Sequence, residues 1–524
     1  MPLALIHFSP LDYGIFALYL LLTSGVGLLF ARQKDVKEYL LADRSMGYII
    51  VGVSVLAAFF SGISYLAYPS EIYSHGIGFF FAGVSFFIAT PLTTIIFLPF
   101  YCRSRFYTAY QYLEQRFAVQ VRVLASSLFI VQVLIRLALA TYAPALALEQ
   151  VTGLPIWFTI LCTGVLTTCY TAFGGIKAVI WTDVIQFVVL MGGQLLILIV
   201  AVAHVPGGVR SVYEIARDNG KLTLDFSFDP HVRMTLWGAL LGGALLNLVQ
   251  MATDQIAVQR YLTATSLKEA RQALWLKLWL VMPVIVIFLL TGLVLFAFYQ
   301  IHGDPLAAGK IKKMDQILPF FVANELPAGV PGLLIAAIYG ATMAAVSSGI
   351  NSLSSATMVD FYGRLWRGAQ FTTEASRLKL ARGLTVMYGL LVMVIAFQAH
   401  RFGTLVEASN KAIGLVGGPL LGMFILGMFS KRATVQGAIA GWLIGLLAAA
   451  YVCFATTISF LWYTASGFSV TLLTGWTVSR LFPPPPSEKL DGLTWGTRYH
   501  EARQGLGDEA GPSVAETKTD PLRH

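Results

Sequence analysis

Residues 331–358 read PGLLIAAIYGATMAAVSSGINSLSSATM, with no Asp, Glu, Lys, Arg or His among them. About 20 apolar residues suffice for one helix to cross a bilayer, so this run is long enough to span. Its hydroxyls carry the rest of the information. Ala344, Ser347 and Ser348 sit at i, i+3 and i+4 and share one helical face. Two hydroxyls with nearby carbonyl oxygens suit a small hard cation, which takes oxygen ligands. The same face also suits close helix packing through small residues. Spacing alone leaves both readings open.

The rest of the 524-residue chain repeats the pattern. It is 56% hydrophobic and 12% charged, against about 45–50% apolar and 25% charged for an ordinary soluble domain. These values exclude a soluble enzyme, a disordered chain and a secreted disulfide scaffold. They predict an all-α integral membrane protein. Thirteen apolar segments run near 11–31, 47–70, 77–101, 122–147, 155–174, 178–204, 234–259, 274–300, 331–358, 383–400, 405–429, 434–456 and 458–482. None shows the period of 2 of a membrane barrel. Cys102, Cys162, Cys169 and Cys453 form no metal or redox pattern. No His/Cys cluster, Gly-x-Ser-x-Gly or His-Glu-x-x-His run points to an enzyme.

Basic residues give an orientation. Of the 36 Lys and Arg, 26 fall in the inner loops and tail if the N-terminus is outside, Arg260 and Lys277 being counted there. Eight fall in outer loops. Arg136 and Lys411 remain at membrane depth. This bias predicts N-outside, C-inside and an odd helix number. The net charge of +9 is then an orientation signal, and nothing points to nucleic acid. The expected organisation is a transmembrane domain over 1–482 and a disordered cytoplasmic tail over 483–524, which opens with Pro483–Pro486. The chain is expected to be multi-pass in the plasma or inner membrane, with the bilayer as its surroundings and no obligate protein partner evident.

Polar groups at membrane depth are where function is sought. In the second segment, Ala57-Ala-Phe-Phe-Ser-Gly-Ile-Ser64 interrupts an apolar run. It reads either as a helix broken at the midplane, which frees carbonyls for ions, or as a tolerated mid-helix glycine. Arg136 lies mid-segment and keeps its proton, so it requires a partner or water. Its fork matches a substrate carboxylate, and a structural pair with a carboxylate on another helix is the alternative. Asp183 is a candidate partner for it, a further cation ligand, a proton carrier or a solvated inner residue. Lys411 reads as structural, snorkelling or paired with Glu407 one turn earlier.

Several runs together resemble the sodium/solute symporter family over roughly residues 10–455. Phe106-Tyr-Thr-Ala-Tyr-Gln-Tyr-Leu-Glu-Gln-Arg-Phe117 is similar to the family's T-x-Y-E-Y-L-x-x-R-F, with Gln111 in place of Glu. Gly174-Gly-Ile-Lys-Ala-Val-Ile-Trp-Thr-Asp-Val-Ile-Gln186 resembles G-G-x-[KR]-A-V-x-W-T-D-x-x-Q. Asp254-Gln-Ile-Ala-Val-Gln-Arg-Tyr261 resembles D-Q-x-x-V-Q-R-Y. Ala344-Ala-Val-Ser-Ser348, Asn351-Ser352 and Asp360 resemble its sodium helix.

The resemblance implies about 13 transmembrane helices with a LeuT-like core of two inverted five-helix repeats, helices 2–6 and 7–11, plus extra helices. It implies a sodium site made by the carbonyls of Ala57, Phe60 and Ala344 and the hydroxyls of Ser347 and Ser348. Asp183 is implied as a ligand of an additional sodium, although Ile350 and Asn351 stand where that site has serines. The run around Arg136 is similar to the bacterial sialic-acid branch and to the monocarboxylate, vitamin and iodide branch. By the same resemblance Arg136, Ser61 and Ser64 are substrate-binding candidates, with Phe59 replacing a hydroxyl of the sialic-acid branch. The expected function is sodium-coupled uptake of a small organic anion, a monocarboxylate or sialic acid, by alternating access. A neutral-solute symporter for a sugar or amino acid is the alternative. A sensor on a transporter fold is a third, and would require an appended signalling domain.

Overall fold

The computed structural model describes residues 9–30, 33–103, 106–365, 373–402 and 405–497. It is helical throughout, and no strand occurs among the described residues beyond one isolated bridge between Met46 and Ala264. The helices are α1 (Pro10–Leu29), α2 (Val36–Leu41), α3 (Tyr48–Phe59), α4 (Gly62–His75), α5 (Phe80–Val84), α6 (Phe86–Leu92), α7 (Leu98–Arg103), α8 (Tyr110–Arg116), α9 (Val119–Thr152), α10 (Ile156–Ala203) and α11 (Gly208–Asp218). They continue with α12 (Gly243–Ala252), α13 (Gln255–Tyr261), α14 (Leu267–His302), α15 (Ile317–Glu325), α16 (Val330–Ala356), α17 (Gly363–Leu365), α18 (Glu374–Ala396), α19 (Leu405–Phe429), α20 (Val435–Ala455) and α21 (Tyr463–Ser479).

Each of the thirteen expected segments falls on helix, but their partition differs from the expectation. Nine helical stretches among the described residues are long and apolar enough to cross a membrane by themselves. Two expected segments fall short because they are broken, the last because its helix α21 has 17 residues, and two others are joined. The fifth and sixth segments form the single α10, bent at Gly175 (φ 59°, ψ −162°). A Cβ at Gly175 would stand 2.9 Å from the Tyr39 carbonyl oxygen, so α2 closes directly on the bend. Only glycine meets both demands there.

The second segment is broken. α3 ends at Phe60, which is extended (φ −96°, ψ 96°), and Ser61 caps α4 by accepting from the Ile63 N–H. A Cβ at Gly62 would lie 2.3 Å from Thr342 Oγ1, so the break is pressed against α16. The seventh segment, expected as one continuous run, is broken as well. α12 stops at Ala252, and Asp254 caps α13 through Ile256 N. Both second halves thus begin with a side-chain cap, because the chain must satisfy backbone donors where the helix is interrupted.

α16 packs against α1, α4, α9, α10 and α18, and its residues from Leu334 through Ala356 are buried. Protein on every side explains why this segment tolerates so many hydroxyls: it does not face lipid. α19, α20 and α21 pack together as a second layer against α9 and α12.

At the end of the bundle carrying α8, the motif residues act as fasteners. Gln111 Oε1 accepts from the Tyr107 and Thr108 N–H groups at 2.6 and 3.1 Å, so its amide oxygen closes the start of α8. Arg116 donates to the carbonyls of Gly427 and Ser430 at 2.9 and 2.7 Å. Asp360 accepts from Arg122 Nε, Thr108 Oγ1 and Ser126 Oγ at 2.7, 2.7 and 2.9 Å. The expectation of a disordered tail is corrected for 483–497. Tyr112 Oη donates to the Leu493 carbonyl at 2.9 Å, Lys489 Nζ to that of Phe117 at 2.7 Å, and Trp495 N to that of Met428 at 2.7 Å. Leu490 and Thr494 are buried. Apolar Leu490, Leu493 and Trp495 supply the contact that composition averages hid. Residues 498–524 of the expected tail lie outside the described residues.

Candidate functional site

The two breaks open onto one central cavity. Ser61 and Ser64 line it from the α3–α4 break, Arg136 from α9, Asn247 and Gln250 from α12, and Asp254 from the α12–α13 break. Phe59, Tyr68 and Phe86 supply apolar wall. The three expected substrate residues, Arg136, Ser61 and Ser64, are therefore together. The lining is a polar cluster in an aromatic pocket, the usual chemistry of a small-molecule site.

Arg136 is paired. Its Nη2 lies 2.7 Å from Asp254 Oδ2. Asp183 is not its partner. In the sequence Asp254 stands out only as the first residue of the Asp254–Tyr261 motif. The missed signal was a capping residue inside an apolar run. The pair is not sealed off, since the Arg136 side chain keeps 15% exposure toward the cavity. The ligand and structural readings of Arg136 are thus both compatible with its place: it has a protein partner and it faces the cavity.

The expected sodium residues lie at the end of α3 and on α16, two helices in contact. The Ala57 carbonyl accepts from Phe60 N at 3.2 Å. The Ala344 carbonyl accepts from Ser347 Oγ at 3.2 Å and from Ser348 Oγ. Phe60 is buried at the break itself, and both serines have no exposure. Each of these groups offers a neutral oxygen, the ligand type a hard cation takes. Ser348 Oγ also accepts from Arg260 Nη2.

Through Arg260 this set joins Asp183. Arg260 Nη2 donates to Asp183 Oδ2 at 2.8 Å, Arg260 Nε to Ser54 Oγ at 2.8 Å, and Ser54 Oγ to the same Asp183 oxygen at 2.6 Å. Neither charged side chain is exposed. The placement of Arg260 with the inner loops is corrected: its charge is buried beside the serines of α16. The solvated reading of Asp183 is excluded by the same burial. Its second oxygen, Oδ1, is buried and has no hydrogen-bond partner. Asn351, which stands where a serine was expected, instead accepts from Gln259 Nε2 at 2.8 Å.

Lys411 pairs with Glu407 at 2.9 Å, as its structural reading expects. Lys277 departs from its expected place in the inner loops. It is fully buried within α14, with its Nζ 3.2 Å from the centre of the Phe86 ring. Position near a segment end misled, because α14 begins seven residues before the apolar run does.

The family model described as "Sodium:solute symporter family" matches residues 39–445. Rabbit (Oryctolagus cuniculus) sodium-dependent multivitamin transporter is 38% identical over 457 residues, covering 85% of this chain and 70% of the relative. Human (Homo sapiens) sodium/iodide cotransporter is 35% identical, covering 86% and 71%. Human sodium-coupled monocarboxylate transporter 1 is 34% identical, covering 91% and 75%. A solved structure of a Na+-coupled sialic acid symporter in a substrate-bound outward-open state superposes with a TM-score of 0.83 at 31% identity, covering 91% of this chain and 99% of that one. The LeuT-like fold expected from the motifs is the fold observed.

Proposed function

We propose, for a chain that belongs to the sodium:solute symporter family, that the co-transported solute is a small organic anion. As a member it is a multi-pass membrane transporter that moves sodium with its solute, not an enzyme. The single observation carrying the substrate class is Arg136, a guanidinium lining the central cavity from α9. Among the relatives, one is named for monocarboxylates, one for iodide and one for sialic acid.

The cycle follows from the two broken segments. Sodium from outside binds between the carbonyls of Ala57 and Phe60 and the Ala344, Ser347 and Ser348 oxygens. That contact fixes the α3–α4 break against α16, and the anion then binds beside it, on Arg136, Ser61 and Ser64. Discontinuous helices at matching places in two repeats are the usual position of coupled ion and substrate sites. The core then rocks and releases both to the inside.

Stoichiometry has an energetic consequence. One sodium with one monovalent anion moves no net charge, so only the chemical gradient drives uptake, about 1.4 kcal/mol for a tenfold gradient. A second sodium adds the membrane potential, about 2.3 kcal/mol per charge at 100 mV. Asp183, with an unpartnered buried oxygen, is the candidate ligand for that second ion.

The test is uptake of carboxylic acids into proteoliposomes. Sodium-driven accumulation is expected, and equal uptake with choline outside would sink the proposal. A neutral solute is the second reading, favoured by the Arg136–Asp254 pair, which already neutralises the guanidinium. A panel of acids, sugars and amino acids separates the two.

A further inference from the structure

Asn247 is a cavity residue that sodium binding and the Arg136 pair leave unused. It lines the cavity from α12, and its side chain is otherwise buried. Its Nδ2 donates to Ser85 Oγ at 2.9 Å and to the Ala82 carbonyl at 3.2 Å. A carbonyl only accepts, so the atom facing Ala82 is the amide nitrogen. Ser85 fixes the same orientation. Its own proton goes to the Ala82 carbonyl at 2.6 Å, which leaves its oxygen to accept. Both N–H bonds of Asn247 are thus committed to the wall formed by α5 and the start of α6. Its oxygen Oδ1 is turned away from that wall, toward the cavity.

The charged and hydroxyl groups of the cavity do not duplicate this. Arg136 has donors alone. Both oxygens of Asp254 are in use, Oδ2 by Arg136 and Oδ1 by the Ile256 N–H. The hydroxyls of Ser61 and Ser64 rotate to suit a ligand. Asn247 therefore presents a fixed acceptor in a cavity whose cation is a donor. A buried acceptor left without a partner is costly once water is displaced. A site built to receive a hydroxyl or N–H discriminates strongly against a solute that lacks it. α12 rises about 7.5 Å from Ala252, at its break, to Asn247, so the donor belongs several bonds away from a carboxylate held at Arg136.

We propose that Asn247 Oδ1 receives a hydrogen-bond donor of the substrate, and that the transported anions are carboxylates bearing a hydroxyl or N–H several bonds from the acid group. The inference rests on the organic-anion reading above and narrows it. Arg136 holds the carboxylate, Asn247 receives the donor, and Ser85 with the Ala82 carbonyl keeps the amide from turning over. Plain alkanoates match the charge but leave the acceptor unmet.

The experiment uses the full-length protein in proteoliposomes under a sodium gradient. Straight-chain acids of roughly two to eight carbons are each compared with the acid bearing a terminal hydroxyl, and with the methyl ether of that hydroxyl, which keeps the oxygen but cannot donate. At the chain length that spans Arg136 and Asn247, the hydroxy acid should show a KM about tenfold or more below that of the plain acid. The methyl ether should gain nothing. In Asn247→Leu the ratio of the two KM values should fall to about one, a readout that a general loss of packing does not move. Equal KM values for hydroxy and plain acids at every length in the unmodified protein overturn the proposal alone, because the acids are still carried. So does a methyl ether that matches the hydroxy acid, since any oxygen would then serve. So does an Asn247→Leu variant that keeps the preference. If Asn247→Leu does not fold, the three-way comparison in the unmodified protein still decides. If no acid of the series is carried, the organic-anion reading fails, and this inference with it.

Discussion

Arg260 and Asp183 form an ion pair of 2.8 Å with no exposure on either side, and the same guanidinium reaches Ser348 in the expected sodium site. Two motifs far apart in the chain thus meet at one place. Asp183 comes from α10 and Arg260 from α13, and Ser54 of α3 bridges them. With Ser54, the pair ties α3 and α13, one from each broken segment, to α10 beside the helix that supplies the serines.

Asp183→Asn should be strongly destabilising. Removing one partner of a buried pair leaves the other charge uncompensated, at a cost of about 3–5 kcal/mol. Thermal unfolding in detergent measures this. A double variant, Asp183→Leu with Arg260→Met, should recover most of the loss, because no buried charge then remains. Similar melting of Asp183→Asn and the unmodified protein would contradict the account.

Arg136→Ala should abolish carboxylate uptake and leave sodium binding intact. Asp254→Asn keeps an oxygen to cap α13 but releases Arg136 from its partner. It should therefore tighten carboxylate binding several-fold, each tenfold being about 1.4 kcal/mol, and slow turnover. Isothermal titration with and without sodium reads both. Normal transport by Arg136→Ala would leave the pair a purely structural role.

Ser347→Ala should raise the half-saturating sodium concentration roughly tenfold, the loss of one ligand oxygen being worth about 1–1.5 kcal/mol. Substrate affinity at saturating sodium should be unchanged. Sodium titration of uptake is the measurement. No change in sodium dependence would favour the packing reading of this helical face.

Truncation after Phe482 should lower the melting temperature. Three hydrogen bonds to backbone carbonyls join the segment 489–495 to the body, two of them at Phe117 and Met428, at about 0.5–1.5 kcal/mol each. Tyr112→Phe should reproduce roughly a third of that effect. Unaltered melting on truncation would mean that the segment contributes nothing to stability.

Much of the fold was legible because lipid imposes a simple rule. Segments must be apolar and long, and exceptions at depth must be compensated. Arg136 and Asp183 stood out on that ground. The α3–α4 break was readable as one of two options, since Ser61-Gly62 interrupts the run. The second break is not legible in the sequence, because Asp254 stands inside an expected apolar segment with no glycine beside it to mark an interruption. Lys277 and Arg260 were misplaced for a related reason. A charge near a segment end reads as solvated unless its surroundings are known.

Sequence alone determined the class, the apolar segments, the family resemblance and the identity of the serine helix, since each depends on local composition or spacing. Tertiary structure decided the pairings: Arg136 with Asp254, Asp183 with Arg260, and Lys277 with two rings. Ion pairs and cages join residues tens to hundreds of positions apart. Their geometry depends on how helices pack, which no single segment encodes. The 28-residue run at 331–358 shows both sides of this. Its length and lack of charge marked it as a spanning helix, and only packing against other helices on every side explained why its hydroxyls could be buried there.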